Sequence, residues 1–269
     1  MGRWGWEIYD SDAGLGFLDT ITDFLEREFA FWMIPEQRIG MDVTLWLSNT
    51  LPVLEIMLLL KEYHPAAYHI RDPKTVQRWR GEFLSVWDSD WQDTVKNLSL
   101  FVGVYGDNVF RKQHRSFITA IFDHFESTAH SWGDDAEPEI EIPLPLEYTL
   151  PFFSVRHRTN QNGESIIIVE QFIYQLIENL EREIIYRLSL EKRAHLYSYD
   201  EIWIAVDLVA FLCESYQISA RVNQPVVRKW RDTMIEIWEE QEARELYQNV
   251  MRAFDRLESV AQKHPPMFQ

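Results

Sequence analysis

Val76–Asp90 reads VQRWRGEFLSVWDSD, and 151 positions later Val227–Gln241 reads VRKWRDTMIEIWEEQ. Val76, Trp79, Arg80 and Trp87 recur as Val227, Trp230, Arg231 and Trp238. On a helix, Val76, Arg80, Phe83 and Trp87 fall on one stripe, as do Val227, Arg231, Met234 and Trp238. A cationic side chain within an apolar stripe is costly to bury unless a carboxylate meets it. The pattern predicts two helices of one design, each carrying an arginine that needs an acid.

The likeness extends beyond this stretch. Phe17, Leu25, Glu26, Arg27 and Glu28 match Phe172, Leu180, Glu181, Arg182 and Glu183 at an offset of 155. Glu55, Leu60 and Glu62 match Asp207, Leu212 and Glu214 at 152, and Asp72 matches Asn223 at 151. Order is kept and the offset drifts only between blocks, as loops of unequal length would cause. The expectation is a duplicated helical unit of roughly 120 residues.

Periodicity along the chain supports an all-α protein of two related, bundle-like repeats. Leu15, Leu18, Ile21, Leu25 and Phe29 mark one amphipathic helix, and Met41–Tyr63 a second with Pro52 as a kink or break. Asp72-Pro73 supplies a cap and a first-turn proline for the Trp79 helix. Further helices are expected over Trp91–Val104, Phe110–His130, Trp203–Tyr216, Val226–Glu245 and from Val250 to His264. Residues 133–150 change character, with three prolines, six acids and no base between Gly133 and Leu150. They read as an extended connector between repeat 1 (1–132) and repeat 2 (151–269). Two readings stand for 152–169: a hairpin turning at Asn162-Gly163, or, as the spacing of Ile166, Val169, Ile173 and Leu176 favours, a helix beginning near Ser165.

With 43 acidic against 26 basic residues the chain carries a formal charge of −17. Such a balance argues against a phosphate-binding or nucleic-acid surface. It suits either plain solubility or a basic protein partner. The single Cys213 excludes an internal disulfide and a multi-cysteine zinc site, and its apolar helix makes it a small core residue. The opening MGRWGWEIYD lacks a signal-peptide apolar core, and the most apolar run, Leu51–Leu60, contains Glu55 and is too short for a membrane span. A cytoplasmic protein is expected.

Gly2, Trp4, Gly5, Tyr9, Asp10, Asp12, Phe17 and Leu18 resemble the opening pattern of the bacterial domain of unknown function numbered 4259. The stretches VLEIMLLL (53–60) and AVDLVAFL (205–212) are similar to that family's helix with a central acid, although the second half lacks the Trp-Gly opening. The resemblance implies no activity, cofactor or ligand set. It carries only a general likeness to small acidic proteins of the immunity type.

Glu55 and Asp207 lie within helices apolar on nearly every face, where a carboxylate needs a partner. The simplest pairing sets Glu55 against Arg80 and Asp207 against Arg231. The competing reading brings Glu55 and Asp207 together, with one or more histidines, as the acid pair of a metal-dependent hydrolase. The histidines favour the first: His114, His124 and His130 are ten and six apart and share no ligand-spaced face. No phosphate-binding loop or nucleophile motif is present, so no catalytic residue, metal ligand or cofactor is assigned. Trp79, Trp87, Trp230 and Trp238 read as core anchors. Trp4, Trp6, Trp32 and Trp91, with Asp134, Asp135, Glu137 and Glu139 of the connector, are the candidate partner-binding residues. The function expected is a non-enzymatic protein-binding module, such as an immunity or antitoxin-like inhibitor of a cationic partner, with a structural adaptor or homo-oligomer as a further alternative.

Overall fold

The structure is a computed structural model, and it describes residues 12–39, 43–63, 72–89, 108–129, 155–159, 165–169, 171–189, 198–218, 223–238 and 244–263. The chain divides into two compact units, Ile21–Phe153 and Ser154–Gln269 together with Met1–Thr20. Among the described residues the elements are helical apart from one hairpin.

In the first unit, α1 (Asp12–Met33) contributes its residues from Ile21 onward and is followed by a 3-10 turn over Pro35–Arg38. Then come α2 (Val43–Tyr63), α3 (Pro73–Trp87) and α4 (Asn108–Thr128). Pro52 lies inside α2, which continues through it as one helix. α3 starts where Asp72-Pro73 predicts: the Asp72 carboxylate accepts from the backbone N–H groups of Lys74 (3.1 Å) and Thr75 (3.2 Å), two donors that the first turn leaves open. Hydrogen bonding from the Thr75 hydroxyl holds the Asp72 carboxyl below its usual range. The core is aromatic. Phe83 packs with Trp46 (5.0 Å between ring centroids), Phe122 (5.7 Å) and Phe29 (6.2 Å), while Trp79 meets Phe29 edge to face at 5.3 Å. α2 is buried on all sides from Thr50 to Lys61, which explains its lack of amphipathic pattern.

The second unit opens with an antiparallel hairpin, β1 (Val155–Thr159) and β2 (Ser165–Val169), in the register Val155↔Val169 to Thr159↔Ser165. This corrects the favoured reading of 165–169. The helix begins at Gln171, because the strand residues Ile166–Val169 merely prolong the apolar spacing of the helix that follows. Four helices follow: α5 (Gln171–Ser189), α6 (Ser198–Tyr216), α7 (Gln224–Trp238) and α8 (Arg244–Lys263). α6 packs against α5 and α8, and α7 against α8; in the first unit, α3 packs against α4. α6 closes on Gln217, whose φ of 52° is left-handed; Ile218 N–H then reaches back to the Cys213 carbonyl at 3.0 Å. Val227, Trp230 and Met234 of α7 are buried, as are Val76, Trp79, Phe83 and Trp87 of α3, so these anchors are core residues as expected. The side chain of Trp238, the expected helix over 91–104 and the connector over 133–150 lie outside the described residues.

Candidate functional site

Arg80 and Arg231 each find carboxylates, but not the expected ones. Arg80 Nη1 lies 2.6 Å from Asp123 and 3.6 Å from Glu126, both on α4. Arg231 Nη1 lies 2.7 Å from Asp255 and 3.8 Å from Glu258, both on α8. The pairings Glu55–Arg80 and Asp207–Arg231 are therefore wrong. The stripe locates the face of α3 correctly, yet the guanidinium leaves that face at its edge, a third exposed, and reaches sideways to the neighbouring helix. Glu55 is fully buried, whereas Arg80 keeps a third of its side chain in solvent.

The supporting contacts also correspond. Gln77 Nε2 donates to Glu126 at 2.5 Å, and one turn before Arg231 the side chain of Arg228 donates to Glu258 at 2.6 Å. Gln224 adds a bond to Glu258 at 2.9 Å. The Arg228 hydrogen bond is the largest influence and, with lesser help from Gln224 and the charges of Arg228 and Arg231, holds the Glu258 carboxyl below the usual carboxylate range against desolvation, the second-largest influence. The i, i+3 spacing of Asp123 with Glu126 and of Asp255 with Glu258 turns both acids toward one arginine. Sequence reading passed over these four acids. The signal was present: Phe122-Asp123-x-x-Glu126 recurs as Phe254-Asp255-x-x-Glu258, but at an offset of 132 rather than 151.

Asp207 pairs with Arg256 of α8, at 3.0 Å, and the same guanidinium reaches Glu214 two helical turns further along α6 at 2.5 Å. Asp207 and Glu214 are seven apart, so they stack on one side of α6 and share the cation. Cys213 is buried beside them. Burial pushes its thiol well above the ordinary value, and the Glu181 and Glu214 carboxylates push the same way, so the thiolate is strongly disfavoured. Among the described residues no group of three or more His, Cys, Asp or Glu side chains is arranged to hold a metal ion, and no helix is long and apolar enough to cross a membrane.

Of the expected partner-binding residues, Trp4, Trp6, Trp91, Asp134, Asp135, Glu137 and Glu139 lie outside the described residues. Trp32 is half-buried at the end of α1. Its Nε1 donates to Glu28 at 3.0 Å, and its carbonyl accepts from Trp46 Nε1 at 2.8 Å. The segment that carries it also exposes apolar side chains that the residue pattern does not single out. Phe24, Phe31, Ile34 and Ile39 are all exposed within sixteen residues of chain, Ile39 at 82%. Ile185 and Tyr186 on α5 are the other large apolar side chains exposed among the described residues.

No family model, curated protein or solved structure matches this chain.

Proposed function

We propose that this chain is a non-enzymatic protein-recognition module, built as a tandem of two helical units of one plan and acting in the cytoplasm on a cationic partner in the manner of an immunity or antitoxin-like inhibitor. The observation that carries the recognition reading is the concentration of exposed Phe24, Phe31, Ile34 and Ile39 on one short segment of an acidic chain. Large apolar side chains grouped on a surface are characteristic of protein contact sites, whereas single ones are ordinary. Acidic groups around such a patch speed encounter with a basic partner, and the apolar groups set how long it stays. The tandem reading is supported by the order of the described helices in the two units and by the matching contacts of Arg80 and Arg231. The likeness of about the first 65 residues, and of a second piece around 204–238, to the domain of unknown function belongs to the same reading.

The test is affinity capture with the intact chain at about 50 mM salt, followed by reconstitution with the purified captured protein. The reading predicts a stoichiometric complex with a basic protein, formed more slowly as salt is raised. Absence of any stoichiometric partner, or turnover of a small substrate by the purified chain, contradicts it.

A further inference from the structure

We draw no further inference here: the strongest candidate, the exposed apolar patch of Phe24, Phe31, Ile34 and Ile39 along the end of α1 and the 3-10 turn, belongs to the surface already described, and with charges of both signs set in it at Arg27 and Glu28 nothing in the structure shows what covers it.

Discussion

Arg80 lies 2.6 Å from Asp123, and both side chains keep about a third of their surface in solvent. That relationship changes what the repeated arginine means. A buried ion pair is an all-or-none element of a core, since losing one partner strands a charge. A half-exposed pair between adjacent helices aligns them at small energetic consequence. The same geometry at Arg231 and Asp255, 2.7 Å apart, makes it an alignment device used once in each unit.

Glu55 and Arg80 should therefore act independently. Glu55→Ala leaves its buried surroundings short of an acceptor and should lower stability by about 2 kcal/mol or more, whereas Arg80→Ala should cost about 1 kcal/mol or less. Urea unfolding of the two single variants and the double variant checks this. The two effects should add to within about 0.5 kcal/mol, as for residues without a shared contact. A large departure from additivity restores the pairing of Glu55 with Arg80.

Acid should loosen the second unit partly through Glu258. Its carboxyl titrates below its ordinary value of 4.5 in the folded chain, chiefly because Arg228 donates to it. A depressed folded value means that this contribution is present above the unfolded carboxyl range and is lost as pH falls through the folded one. Glu258→Gln should thus lower the melting temperature near pH 7 but change it little near pH 3. Because its partner Arg228 keeps more than half of its side chain in solvent, the difference should be modest. An equal loss at both pH values would mean that the charge is not what matters.

Cys213 should be chemically silent in the native chain. Its thiol is buried and its titration is pushed well up, so the nucleophilic thiolate is scarce at neutral pH. A thiol-reactive chromophore should label it only as fast as the chain opens, and rapidly in urea. Fast stoichiometric labelling without denaturant would place the residue in an accessible, activated setting.

Much of this architecture was legible in the residues, and the reasons differ by element. Asp72-Pro73 marks the start of α3 because a carboxylate cap and a residue without N–H both answer the open donors of a first turn. Trp79, Trp87 and Trp230 were readable as core because helical spacing sets them with other apolar residues. Periodicity states which face of a helix is inside, but not which helix lies opposite. Hence the stripe alone points Arg80 to the buried Glu55 rather than to Asp123. The connection between α3 and α4 spans residues 88–107, against 239–243 between α7 and α8, and this unequal length hid the Asp-x-x-Glu correspondence. The hairpin was half visible: Asn162-Gly163 favours a two-strand turn, but Ile166 and Val169 also fit helical spacing with Ile173. Phe24 and Phe31 were not legible as surface, since hydrophobicity alone does not separate them from the buried Phe29 five and two positions away.

The most direct test of the account is a pair of double-mutant cycles by urea unfolding, Arg80→Ala with Asp123→Ala and Arg231→Ala with Asp255→Ala. If both units follow one plan, each cycle should return a favourable coupling of about 0.2–1 kcal/mol, and the two should agree within the error of the method. A clear coupling in one unit with none in the other would contradict the shared plan.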